Sequence, residues 1–129
     1  MPKILIADDE PNMRVLLKET LEEFEDKGVE LLTADNGEET FKIIKTKRPE
    51  LVILDIMMPG MSGYEICDTV KNVLGMKGIY ILMLTAKAQE FDRLKGNEVG
   101  VDIYITKPFD PDEIIKKAAE VLKIEIQKK

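Results

Sequence analysis

Four apolar runs in this chain end in polar side chains whose types, taken together, could do chemistry. Ile4 to Ala7 is followed by Asp8 and Asp9, Ile53-Leu54 by Asp55, Met83-Leu84 by Thr85, and the run through Ile105 by Lys107. A carboxylate at the end of a buried strand is costly unless something pairs with it. Three carboxylates with no histidine or sulfur among them suit a hard cation that prefers oxygen, with Mg²⁺ the expected occupant where some ligands are water. A lysine and a threonine opposite such an ion would cradle a phosphoryl group, the ammonium balancing charge and the hydroxyl donating a hydrogen bond. Asp55, alone on its strand, is then the natural nucleophile for phosphorus. Each residue also has a plainer use: Asp8 and Asp9 as caps of a first helix, Asp55 as a turn former before Pro59-Gly60, Thr85 as a strand end, Lys107 as a solvated lysine. The chemistry rests on the set.

Composition narrows the mechanism. The chain has 129 residues, 44% hydrophobic and 34% charged, which fits one domain with a single core. There is no histidine, so Ser-His-Asp or Cys-His catalysis and His-ligated zinc are excluded within this chain. The one cysteine, Cys67, allows no internal disulfide and, at helical spacing with Ile66 and Val70, is expected in the core. A net charge of −6 argues against direct binding to nucleic acid. No apolar stretch approaches the roughly 20 residues that span a bilayer, and Met1-Pro2-Lys3-Ile4 leads straight into a strand. A cytoplasmic location with no membrane partner is expected.

The elements that must position these groups alternate regularly. A strand over 3–7 leads to Pro11 at a first helical position, and Met13, Leu16, Leu17, Thr20, Leu21 and Phe24 recur as one buried stripe before Gly28. A second strand over 29–34 precedes Asn36-Gly37-Glu38-Glu39, an N-cap with an acid three positions on, and a helix marked by Phe41 and Ile44 that stops at Pro49. The run 51–54 is apolar throughout, as a central parallel strand is. Ser62-Gly63-Tyr64-Glu65 forms a second capping box, with Ile66, Cys67, Val70, Val73 and Leu74 as the apolar face of a third helix, and Gly75 and Gly78 bracket the turn after it. A strand over 79–84 ends at Thr85, a fourth helix over 89–99 has only Phe91, Leu94 and Val99 as anchors, and Gly100 ends it. A fifth strand over 103–105 and a helix opened by Asp110-Pro111-Asp112-Glu113, with Ile114, Ile115, Ala118, Val121 and Leu122 inward, complete the pattern. Five strands alternating with five helices make an α/β domain with a parallel sheet, helices on both faces and right-handed crossovers. In such sheets ligands bind outside the carboxyl ends of the strands, where Asp8, Asp9, Asp55, Thr85 and Lys107 all lie.

The order Asp8-Asp9, Asp55, Thr85-Ala86 and Lys107-Pro108-Phe109, with Leu54-Asp55-Ile56-Met57-Met58-Pro59-Gly60-Met61-Ser62-Gly63 between, resembles the receiver domain of bacterial two-component response regulators over residues 3–123. The resemblance implies a flavodoxin-like sheet of order 2-1-3-4-5, a receiver domain over 1–124 and a short tail or linker stub over 125–129. It also implies that Asp55 accepts a phosphoryl group from a phosphohistidine on a partner histidine kinase or phosphotransfer protein. By the same resemblance Asp9, Asp55 and the Met57 carbonyl would ligate Mg²⁺, with Asp8 acting through water. Thr85 and Lys107 would hold the phosphoryl oxygens, and Lys107-Pro108 would be cis. Tyr104 matches an aromatic switch position whose ring fills the space vacated when Thr85 is drawn inward. That change would remodel the face of the fourth helix, fifth strand and fifth helix for a downstream protein or output domain.

Two other classes share parts of this pattern. A haloacid-dehalogenase-like phosphatase needs a second acid two residues after its nucleophile, where this chain has Met57. A flavodoxin-like nucleotide binder needs a phosphate loop rich in small residues after the first strand, where Asp8-Asp9-Glu10 would repel phosphate. Within the resembled family this chain also departs from the common pattern. Ile103 stands where one large subfamily has an acid that pairs across a dimer, so that mode of dimerisation is not expected. Met57 and Lys87 occupy two positions that tune dephosphorylation, and neither is an acid or amide able to orient a water. The acyl phosphate is therefore expected to decay slowly. Loss of label from purified phosphoprotein within seconds would contradict this.

Overall fold

Alternation of side chains along each strand sets the architecture, because successive residues face opposite sides of the sheet. In the computed structural model, which describes residues 1–85 and 99–126, the strands are β1 (Lys3–Ala7), β2 (Glu30–Ala34), β3 (Leu51–Asp55), β4 (Tyr80–Thr85) and β5 (Ile103–Thr106). All pair in parallel, in the order β2-β1-β3-β4-β5. The described helices are α1 (Pro11–Thr20), α2 (Glu22–Asp26), α3 (Gly37–Lys47), α4 (Gly63–Asp68) and α5 (Pro111–Leu122).

Two apolar layers form, one on each face. Ile4, Ile6, Ile53, Leu82 and Leu84 meet Leu17 of α1, Phe24 of α2, Leu21 between them, and Ile114 and Ala118 of α5. Leu5, Ala7, Leu54, Ile81 and Met83 meet Ile44 of α3 and Tyr64, Ile66 and Cys67 of α4. Strands β1, β3 and β4 are covered on both sides, which is why they are apolar throughout. The register sets Ala7 opposite Leu54, Asp55 opposite Leu84 and Thr85 opposite Thr106, so these strand ends lie level along one edge.

Three caps hold as their sequences imply. Asn36 Oδ1 accepts from the Glu39 N–H at 2.8 Å, Ser62 Oγ from Glu65 at 3.2 Å and Asp110 Oδ1 from Asp112 at 2.9 Å. Lys107-Pro108 is cis, and Cys67 is fully buried.

Three features depart from the sequence pattern. The first helix is broken at Leu21, and Leu16 is 44% exposed instead of joining the stripe, because Leu17, Leu21 and Phe24 already fill the space over the sheet. The third helix does not continue as α: residues Thr69–Val73 form a π turn, closed by Leu74 N–H to Thr69 O at 2.8 Å. A π turn holds one extra residue, so everything beyond it is rotated relative to an α-helix. Val73 is consequently 71% exposed and Leu74 also faces solvent, while Met76 packs against the core. The expected helix over 89–99 lies outside the described residues except for Val99, which packs against the α3 and α4 layer.

A charge also lies inside this segment. Lys71 is 6% exposed, with its Nζ 2.8 Å from Asp102 Oδ2. That same oxygen accepts the Ile81 N–H at 2.7 Å, and the Asp102 N–H donates to Ile81 O at 3.0 Å. Gly100, at φ +91°, leaves room for the lysine stem, since a Cβ there would stand 3.1 Å from Lys71 Cβ. The pair thus ties the π turn to the starts of β4 and β5. Removing one partner of such a pair leaves a buried charge unmatched. Asp102→Ala is expected to lower unfolding stability in urea by about 2–3 kcal/mol, with Lys71→Met/Asp102→Ala recovering part of the loss. A single variant as stable as the parent would contradict the clamp.

Candidate functional site

The carboxyl edge of the sheet gathers the residues singled out above, and the loops there are fixed by backbone contacts. The Asp8 N–H donates to Ala34 O at 3.1 Å, its side chain accepts the Glu10 N–H at 2.9 Å, and Arg14 Nη1 donates to Asp8 O at 2.7 Å. The N-cap of α1 is Glu10 and no side chain caps it, so neither Asp8 nor Asp9 serves as a helix cap. The loop after Asp55 is pinned at both ends, by Gly37 N–H to Pro59 O at 2.9 Å and by Gly63 N–H to Ile56 O at 2.9 Å. Gly63 has to be glycine, since a Cβ there would lie 2.7 Å from Asp55 O. On the other side the Lys107 N–H donates to Thr85 O at 2.7 Å, which sets where the lysine leaves β5.

One ammonium stands between two buried carboxylates. Lys107 Nζ lies 3.2 Å from Asp8 Oδ2 and 3.5 Å from Asp55 Oδ1. Asp8 is fully buried, and Asp55 and Thr85 nearly so. The structure therefore brings Asp8, Asp55 and Lys107 into one ion cluster with Thr85 on the adjoining strand end. Asp9 is exposed, but its carboxylate lies with those of Asp8 and Glu10, all within 4.8 Å of one another. The Met57 side chain is 77% exposed, while its N–H donates to Asp55 Oδ1 at 3.4 Å. Tyr104, partly buried, donates its hydroxyl to that of Tyr64 at 3.2 Å.

The charge balance follows from these distances. Burial, then the neighbouring Asp8, raise the Asp55 carboxyl from 3.8 to about 6; Lys107 and the Met57 N–H oppose the shift, and Asp9 adds to it. Burial alone would lower the Lys107 ammonium, but Asp55 and Asp8 outweigh it and keep it above its usual value, so the lysine stays charged. The surplus of carboxylate over ammonium, with oxygen donors only, is a donor set suited to a hard divalent cation.

Two residues at the site were given no part in it by the sequence reading. Glu10 joins the acidic cluster, and the run of three consecutive acids was the available signal. Tyr64 read only as the interior of a capping box, and nothing local marks a hydroxyl that meets a residue forty positions on.

Comparison with known proteins identifies the family and agrees with the fold. The model of the response regulator receiver domain matches residues 4–119. The alkaline phosphatase synthesis transcriptional regulatory protein PhoP of Bacillus subtilis is 41% identical over 94% of this chain and 48% of its own length. The phosphate regulon transcriptional regulatory protein PhoB of Pseudomonas aeruginosa is 41% identical over 93% of this chain and 51% of its own. The chain thus spans about half the length of these relatives. Among solved structures, the BeF3-activated receiver domain of DrrB superposes with a TM-score of 0.82 at 31% identity, covering 95% of this chain and 98% of that one. DrrB is an OmpR/PhoB homologue of Thermotoga maritima. The chemotaxis response regulator CheY4 of Vibrio cholerae gives 0.81 at 32%, covering 94% and 98%.

The raised Asp55 carboxyl has a consequence for stability. In the unfolded chain it ionises near its ordinary value, but in the folded chain only near 6, so folding is progressively disfavoured as pH rises through that window. In metal-free buffer Asp55→Asn is expected to be more stable than the parent at neutral pH by about 1–2 kcal/mol, the difference vanishing towards about pH 4. Equal urea midpoints at neutral pH would contradict the buried, crowded state of this carboxylate.

Proposed function

The chain belongs to the response regulator receiver family, a family of phosphoacceptor signalling modules, and from that premise we propose that Asp55 is the phosphoacceptor, with Lys107 and Thr85 receiving the transferred group. The observation that carries this reading is the single ammonium of Lys107 held between Asp8 and Asp55 at a strand-end cluster rich in carboxylates. A carboxyl at about 6 is ionised at neutral pH yet more basic than an ordinary aspartate, which favours attack on phosphorus. One Asp55 oxygen forms the new O–P bond while the N–P bond of a phosphohistidine breaks, its electron pair staying on the imidazole nitrogen. The donor histidine must come from a partner, since this chain has none. We assign that partner as a histidine kinase or phosphotransfer protein.

Transfer places new negative charge beside Lys107, which exchanges part of its pairing with Asp8 and Asp55 for the phosphoryl oxygens. Thr85, on the neighbouring strand end, donates its hydroxyl to the same group. Mg²⁺ held by Asp8, Asp9, Asp55 and the Met57 carbonyl, with Glu10 beside them, would supply neutralisation of phosphoryl charge when bound. Tyr104 then reports the state of Thr85 through β4 and β5, and the face of β5 and α5 is read by a downstream protein or output domain. A cytoplasmic setting fits a module of this kind, and no described helix is long and apolar enough to cross a membrane.

The test is direct labelling. Incubated with acetyl phosphate and Mg²⁺, the parent chain is expected to gain the mass of one phosphoryl group, and Asp55→Asn none. Equal labelling of both, or labelling of neither, would overturn the assignment of the nucleophile.

A further inference from the structure

Tyr104 and Tyr64 meet hydroxyl to hydroxyl, across two elements that both serve the site. Tyr104 lies on β5 opposite Met83 of β4, three residues before Lys107. Tyr64 is the second residue of α4, directly after Gly63, where the helix touches the backbone of Asp55. Both rings pack in the same apolar layer, Tyr64 buried within it and Tyr104 against it, and the hydroxyls are 3.2 Å apart. Filling that space needs only a ring. A hydroxyl placed in an apolar layer is costly unless paired, so its presence on both rings calls for a reason beyond packing.

We propose that Tyr64 is a positioning residue for the switch: its hydroxyl holds the Tyr104 ring against the core and so biases the inward orientation in the chain before any phosphoryl group arrives. The proposal rests on the reading of Tyr104 as the ring that moves. The bond couples the helix that follows the nucleophile to the strand that carries Lys107, so the two sides of the site share one equilibrium. A neutral hydrogen bond of this kind shifts a two-state population by a factor of about two to ten.

The experiment uses Tyr64→Phe, which keeps the ring and removes only the oxygen, and Tyr104→Phe, which removes the same bond from the other side. With tyrosine rings labelled with ¹³C, the three tyrosines are assigned by single Phe substitutions and their ring resonances followed in the full chain without phosphodonor. In Tyr64→Phe the Tyr104 resonances are expected to move or broaden towards a second position, and the rate of acetyl phosphate labelling to fall by about two- to tenfold. In Tyr104→Phe the Tyr64 resonances are expected to move, and the double variant to label no more slowly than Tyr104→Phe alone. Tyr104 resonances in Tyr64→Phe that superimpose on the parent's would overturn the proposal, as would additive labelling defects. If the Tyr104 resonances respond to Tyr64→Phe but not to labelling of Asp55, the latch stands and the reading of Tyr104 as the phosphorylation-linked switch fails.

Discussion

One ammonium between two carboxylates links three strand ends at the carboxyl edge of this sheet. Lys107 leaves β5, crosses to Asp8 after β1 and to Asp55 at the end of β3, and so joins the ends of three strands that are well separated along the chain. The pairing keeps two buried acids from repelling each other outright, yet leaves Asp55 markedly more basic than usual. A site balanced in this way is unsatisfied by design in the physical sense: adding a cation or withdrawing a carboxylate's charge both relieve it.

The fold's part is to make that balance reproducible. Level strand ends come from the register of parallel pairs, and the register is set by two apolar layers that a slip of one residue would exchange. Glycines then bring backbones closer than any side chain would allow, Gly63 beneath Asp55 and Gly37 against the backbone of Met61. Nothing at the site depends on a long flexible loop among the described residues. The polar groups are delivered by strand termini, and their spacing is therefore a property of the sheet.

Much of this was legible in the sequence, and the limits are physical. Strands β1, β3 and β4 announce themselves because burial on both faces demands unbroken apolar runs. Caps at Asn36, Ser62 and Asp110 are local chemistry and read correctly. The strand order does not follow from periodicity and came from resemblance to a family. Val73 and Leu74 were misplaced because a helical wheel assumes an unbroken α-helix and this chain has a π turn at 69–73, whereas Leu16 sits at the margin of its stripe, beside the fully buried Leu17. At the site, the convergence of Asp8, Asp55 and Lys107 could be inferred from strand ends, whereas the meeting of Tyr64 and Tyr104 depends on how two remote rings pack and leaves no local trace.

The π turn has a further meaning when considered as length of chain. It accommodates one residue more than an α-helical turn would between the same endpoints, and that surplus turns Val73 and Leu74 outward beside the buried Lys71. Shortened by one residue, the helix would regain ordinary periodicity, carry apolar side chains back to the sheet and leave Asp102 facing no cation. The far edge of the molecule is thus tuned by chain length, as the site edge is tuned by charge. A single deletion there would exchange an ionic anchor for an apolar one at the edge of the molecule remote from the Asp8–Asp55–Lys107 cluster.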